Sequence, residues 1–214
     1  TSESISQSGW FQQNSGTNCD FVDAYFLNSL TGFVVGLDTP SVIKTTNGGL
    51  NWYPQFTGSI GSDVSIQFLD TNIGFFVTPD GSYRTTNGGT NWLIMPNITG
   101  CNDVMFVNLQ TGFIAAYGSQ VKKTTNSGIN WINISVPTSQ SFYKVFAIDE
   151  QEVYFASWNY LFKTTNGGVN YQQLANYSQD ISIYFLNSNT GFIVGELYVG
   201  KTTNGGIDFV TKLS

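Results

Sequence analysis

An all-β propeller of about five four-stranded blades is the fold that the sequence predicts. A nine-residue box recurs five times, its spacing is nearly constant, and no stretch carries a helical period. The first box is Lys44-Thr45-Thr46-Asn47-Gly48-Gly49-Leu50-Asn51-Trp52, and copies follow at 84–92, 123–131, 163–171 and 201–209. Their leading threonines stand at 45, 85, 124, 164 and 202. A second motif keeps that period: Phe26-Leu27-Asn28 then Thr31-Gly32-Phe33, repeated at 106–113 and 185–192. The second repeat retains Gly74-Phe75, and the fourth is reduced to Val153-Tyr154.

Each period reads as four short strands. In the first they are 22–27, 33–36, 42–46 and 52–56, where β-branched and aromatic residues fill the runs and Gly, Asn, Asp and Pro fill the gaps. The chain is therefore one domain, 1–214, with an N-terminal segment at 1–18. Blades are expected at about 19–57, 58–97, 98–137, 138–175 and 176–214. Within the box, Asn47, Asn87, Asn126, Asn166 and Asn204 are expected to bond the backbone two residues on, and the glycines to take positive φ. Trp52, Trp92 and Trp131, with Tyr171 and Phe209, bury area beneath the corner. The box is a structural corner and not a catalytic site.

At these residues the chain resembles the Asp-box (BNR) repeat, Ser-x-Asp-x-Gly-x-Thr-Trp, of sialidases, xyloglucanases and sortilin-like receptors. Thr45 stands at the Ser position, Asn47 at the Asp, Gly49 at the Gly, Asn51 at the Thr and Trp52 at the Trp. The Thr-Thr-Asn-Gly-Gly wording with an upstream Thr-Gly-Phe is most similar to the propellers of the photosystem II assembly factor family, and similar repeats occur in secreted bacterial proteins. The resemblance covers about residues 9–213 and implies a fold more than a function, because the box is a corner in all these families. Sialidases need an arginine cluster, whereas the only arginine here is Arg84, inside a box. Xyloglucanases use paired carboxylates across a longer, two-propeller chain. The photosystem factors rely on a basic patch, whereas five of the eight basic residues here share one box position.

Composition excludes several functions. Eight basic against 14 acidic residues give net −6 and a pI near 4.3, unlike a nucleic-acid binder. There is no histidine, so His-based triads and His metal sites are out. No apolar run is long enough for a helical membrane span. Only 10% of residues are charged, and polarity comes from Asn, Thr, Ser, Gln and Gly. That balance suits an exported protein, secreted or on a bacterial cell surface.

The N-terminus adds a surplus. Gly9-Trp10-Phe11-Gln12-Gln13 copies the strand after the box, as in Asn51-Trp52-Tyr53-Pro54-Gln55, yet the last blade already has its own outer strand. Two arrangements follow: a closed five-blade ring with a spare edge strand, or part of a larger ring or oligomer in which residues 9–13 pair with a neighbour.

In the usual propeller layout, the loops before each innermost strand share a face with the hairpins between second and third strands. That face collects Asp20, Asp23, Asp63, Asp103 and Asp180 from the first set, and Asp38, Asp80 and Glu196 from the second. Tyr117, Trp158, Asn159, Tyr160 and Tyr198 join them. Stacking planes beside acceptors suit a glycan or a peptide, and clustered acids can hold calcium. A solvated acidic face is the plain alternative. Asp23 and Asp103 occupy aligned positions, the only arrangement resembling the paired carboxylates of a glycosidase. Cys19 and Cys101 lie in non-adjacent blades, and the sequence leaves both free and bridged thiols open, which assigns no compartment. Asn97, Asn133 and Asn176 begin glycosylation sequons of a kind that an Asn/Ser/Thr-rich chain produces by chance.

The expected function is a non-catalytic extracellular binding or adhesion module, without a cofactor and with a glycan or protein ligand on the acidic face. The alternatives are a self-assembling surface protein and an Asp-box glycoside hydrolase.

Overall fold

The computed structural model describes residues 12–58, 60–62, 64–136, 138–176, 182–195 and 198–213. They form five antiparallel sheets, each a meander of four strands in chain order. Blade one holds β1 (Phe21–Phe26), β2 (Gly32–Gly36), β3 (Val42–Thr45) and β4 (Tyr53–Phe56). Blade two holds β5 (Ser65–Phe68), β6 (Gly74–Val77), β7 (Ser82–Thr85) and β8 (Leu93–Ile94). Blade three holds β9 (Cys101–Phe106), β10 (Gly112–Ala116), β11 (Gln120–Thr124) and β12 (Ile132–Ser135). Blade four holds β13 (Phe142–Ala147), β14 (Val153–Ser157), β15 (Tyr160–Thr164) and β16 (Gln172–Asn176). Blade five holds β17 (Ser182–Phe185), β18 (Gly191–Gly195), β19 (Tyr198–Thr202) and β20 (Val210–Leu213). The first strands of successive blades adjoin one another and line the centre.

The two motifs explain the blade. Phe68 pairs across the sheet with Gly74, and its ring covers that glycine so closely that a Cβ there would lie 2.5 Å from ring carbons. The same ring-on-glycine contact joins Phe26 to Gly32, Phe106 to Gly112 and Phe185 to Gly191, which is why Gly precedes Phe in the motif. In the box, Thr45 Oγ1 accepts the N–H groups of Asn47 (3.3 Å) and Gly49 (2.9 Å). Asn47 Oδ1 accepts the N–H of Asn51, four residues on, at 3.0 Å. All five boxes repeat this, so the expected two-residue Asn turn is corrected: threonine makes the two-residue bond and asparagine spans the loop. The two-residue bond appears instead in the turn between first and second strands. There Asn28, Asp70, Asn108, Asp149 and Asn187 each accept the N–H two residues on.

Blades join through one repeated contact. Phe33 stacks on Phe68 of the next blade at 3.8 Å, Phe75 on Phe106 at 4.6 Å and Tyr154 on Phe185 at 3.9 Å between ring centroids. At the third interface Ala147 takes the place of the second ring, and Phe113 meets Phe155 edge-on at 6.2 Å. The box cation lies against the first ring of each pair. Lys44 Nζ is 5.1 Å from the Phe33 centroid and donates to the Gly88 carbonyl of the next box at 2.7 Å. Lys123 does the same over Phe113, donating to Gly167 O at 3.0 Å.

Four hydrophobic clusters fill the four interfaces between consecutive blades, and among the described residues none joins blade five to blade one. Phe26 is 50% exposed, whereas its equivalents Phe68, Phe106 and Phe185 are 1%, 6% and 4% exposed. On blade five, Val194 (46%) and Val199 (52%) lie open where Val35 and Val42 are fully covered. Residues 9–11 of the surplus segment lie outside the described residues, and Gln12 and Gln13 are exposed and belong to no strand. Gln13 Nε2 nevertheless donates to Gly48 O at 3.2 Å, on the carbonyl that a preceding blade's box lysine would reach. Its side chain also covers Gly49, as that of Gln55 approaches Gly89.

Candidate functional site

The hairpins joining second and third strands carry an aromatic strip between blades three and four. Tyr117 leaves β10, Tyr143 sits near the start of β13, and Trp158 tops the hairpin between β14 and β15. Tyr117 and Tyr143 meet edge-on with centroids 5.9 Å apart, and Tyr143 meets Trp158 at 5.9 Å. Trp158 is 40% exposed, Asn159 is exposed, and both tyrosines are half-buried. Gly118 N–H donates to Ser141 Oγ at 3.1 Å, tying the blade-three hairpin to the approach of β13.

Tyr143 was not among the residues expected from the sequence. It occupies a β-bulge: Phe142 pairs with Ser157 and Lys144 with Ala156, so Tyr143 is left over. Bulges re-aim a side chain. Val22 and Asn102 are the surplus residues of the same bulge in blades one and three, so a repeat-by-repeat alignment would have singled out the aromatic.

The aligned carboxylates lie on innermost strands, Asp23 in β1 and Asp103 in β9. Each reaches the next blade. Asp23 Oδ2 accepts the Ile66 N–H at 2.9 Å, and Asp103 Oδ2 accepts the Val145 N–H at 2.9 Å. Asp103 is buried, with Lys144 Nζ 3.9 Å from its Oδ1. Burial pushes its carboxyl above the usual carboxylate range, against the pull of Lys144 and the Val145 N–H. Both carboxylates thus act as ties between blades.

The remaining expected residues scatter. Asp38 and Asp80 are exposed on the hairpins of blades one and two. Tyr160 is half-buried beside Phe162 at 6.3 Å and packs on the core between blades three and four. Tyr198 packs on the core between blades four and five, and burial raises its hydroxyl pKa. Glu196, Asp63 and Asp180 lie outside the described residues, as does most of the Asn176 sequon. Among the described residues no group of three or more His, Cys, Asp or Glu side chains gathers in a form that would hold a metal ion. Cys19 and Cys101 are free, buried thiols, both pushed up in pKa by burial.

No family model and no curated protein matches the chain. Solved structures do. YCF48 from Cyanidioschyzon merolae is 19% identical, with a TM-score of 0.70 over 96% of this chain and 75% of that one. A second YCF48 structure, bound to D1 peptide, is 15% identical with a TM-score of 0.50, covering 97% of this chain and 85% of that one. An ancestral GH74 enzyme is 20% identical, with a TM-score of 0.75 over 96% of this chain and 32% of that one. The extracellular domain of a putative hybrid two component system from B. thetaiotaomicron is 10% identical, with a TM-score of 0.75 over 95% of this chain and 29% of that one. The fold is a β-propeller with Asp-box corners. At these identities the likeness concerns the fold alone.

Proposed function

We propose that the chain is a non-catalytic extracellular binding propeller that holds a glycan or a protein segment on its hairpin face, at the Tyr117–Tyr143–Trp158 strip. The observation that carries this reading is the strip itself: three aromatic side chains in contact, one of them substantially exposed beside an exposed amide. A planar apolar surface next to polar groups suits sugar faces and peptide side chains alike. A YCF48 structure of similar fold is bound to D1 peptide, and the extracellular domain of a putative hybrid two component system shares the fold, which agrees with a recognition role outside the cell. The bridging use of Asp23 and Asp103 argues against assigning them to glycoside hydrolysis. Glycan and peptide arrays probed with the intact chain test the proposal. A ligand retained by the wild type and lost in Trp158→Ala and Tyr143→Ala supports it; a ligand indifferent to both substitutions defeats it.

A second reading, self-assembly, has its own observation: the uncovered faces of blades one and five carry the residues that form the interior interfaces. Light scattering decides this one. Multimers that disappear in Phe26→Asp and Phe192→Asp support assembly, and a monomer at all concentrations rejects it.

A further inference from the structure

Between the outer edges of blades two and three lies a cleft of about 580 Å³, lined by Arg84, Lys122, Trp131 and the apolar rim Leu93, Ile94 and Ile129 among others. This size is ordinary for a ligand site. None of its lining side chains is acidic, although the protein carries net −6.

Three departures from the repeat line this cleft, and a fourth, Ser127, directly precedes its lining residue Gly128. Arg84 is the only box cation that is not lysine. The next box is the only one with Ser127 in place of the first glycine, held at φ 57° with its hydroxyl donating to Leu109 O at 2.6 Å. Lys122 stands where the other blades place Ile43, Tyr83, Phe162 and Gly200, and it is 5% exposed. The outer strand β8 is two residues long, and Leu93, Ile94 and Ile129 are 69%, 63% and 67% exposed.

These departures leave donors unused. Lys44 and Lys123 spend their charge on the carbonyl of the next box, but Arg84 lies 5.8 Å over Phe75 with its Nε buried and unpartnered. Trp131 Nε1 is also buried without a partner, as is Trp92 Nε1 one blade earlier, whereas Arg84 has no such counterpart among the box cations. Lys122 Nζ donates to Gln120 Oε1 (3.0 Å) and Asn133 Oδ1 (2.9 Å), both uncharged, and among the described residues no carboxylate forms an ion pair with it. A buried cation without an anion is costly, and a planar guanidinium fits a carboxylate in two-pronged fashion.

We propose that this cleft binds an acidic, partly apolar peptide in extended form. A glutamate or aspartate carboxylate accepts from Arg84 in the field of Lys122. Neighbouring apolar side chains lie on Leu93, Ile94 and Ile129, and the short β8 leaves the blade edge open to main-chain pairing. The site is separate from the hairpin strip and independent of its role.

The test uses fluorescence polarisation of the intact chain with labelled, end-capped Ile-Glu-Val-Glu-Ile and its Gln-for-Glu counterpart. The glutamate peptide should bind and weaken with salt, and the glutamine peptide should bind at least about tenfold more weakly. Arg84→Lys should lose about tenfold or more, with unchanged melting, because lysine holds that position in the other four boxes. Ile94→Asp on the exposed rim should also weaken binding, and Trp158→Ala should not. Equal binding of both peptides, unaltered binding by Arg84→Lys, or no binding of the glutamate peptide overturns the proposal. So does preferential uptake of glucuronate oligosaccharides, which share the carboxylate but not the peptide.

Discussion

The blade interfaces that are filled and the two blade faces that are open are built from the same residue types. Phe33 is buried against Phe68, while Phe26, the equivalent of Phe68, meets only Trp52 of its own blade and is half exposed, because among the described residues no ring of another blade stacks on it. Val35 and Val42 are covered by blade two; Val194 and Val199 are bare. The difference teaches that a blade does not carry its stability within itself. The sheet supplies hydrogen bonds and a pleated apolar face, and burial arrives only with a neighbour.

The largest test of that contrast is Phe33→Ala against Phe192→Ala. Truncating the buried ring should cost about 3–5 kcal/mol and the edge ring under about 1 kcal/mol, read by urea denaturation. A similar loss at both would mean that the edge is covered in solution. Next comes glycine. Gly74→Ala drives a methyl into the Phe68 ring, which is packed between blades, and should cost about 1–3 kcal/mol. Gly32→Ala meets Phe26 at the same distance, but that ring is free to swing outward, so the loss should be visibly smaller. The box sharpens the contrast by ignoring it. Its bonds lie within one blade, so Thr45→Val and Thr85→Val should cost alike, about 1–2 kcal/mol each.

The smallest effect concerns pH at the filled interface between blades four and five. Glu152 pairs with Lys163 at 2.7 Å and accepts from the Tyr154 hydroxyl at 2.9 Å. Burial opposes its ionisation, but the bonds from Lys163, Ser188 and Tyr154 win and hold its carboxyl below the usual range. A depressed carboxylate contributes stability above its unfolded pKa and loses it as pH falls through the folded value. Thermal melts of Glu152→Gln should therefore show a shallower decline than wild type below about pH 4.5 and the larger deficit near neutrality. Asp103, raised by burial, works in the opposite direction, so Asp103→Asn should steepen the acid decline.

Much of this was legible in the sequence because the repeat is local. The box bonds span four residues, and the ring-on-glycine contact joins neighbouring strands, so both leave a fixed spacing. The hairpin aromatics Tyr117 and Trp158 were legible for the same reason. Asp23 and Asp103 were visible as an aligned pair, but their partners Ile66 and Val145 lie 43 and 42 residues away, where no local pattern points. Tyr143 was missed because a bulge, not a motif, turns it toward its neighbours. The rim cleft left traces in single letters, Arg84 and Lys122, that acquire meaning only when the blades stand side by side.

By itself, the sequence determined the blade: its four strands, its corner and the aromatic that each face offers. These follow from backbone bonds and contacts within one period. Only the tertiary structure decided which faces are covered, where the carboxylates are used and where a cation stays unpaired. Those outcomes depend on burial and dielectric, which are set by the neighbour across the interface and not by the residues along the strand.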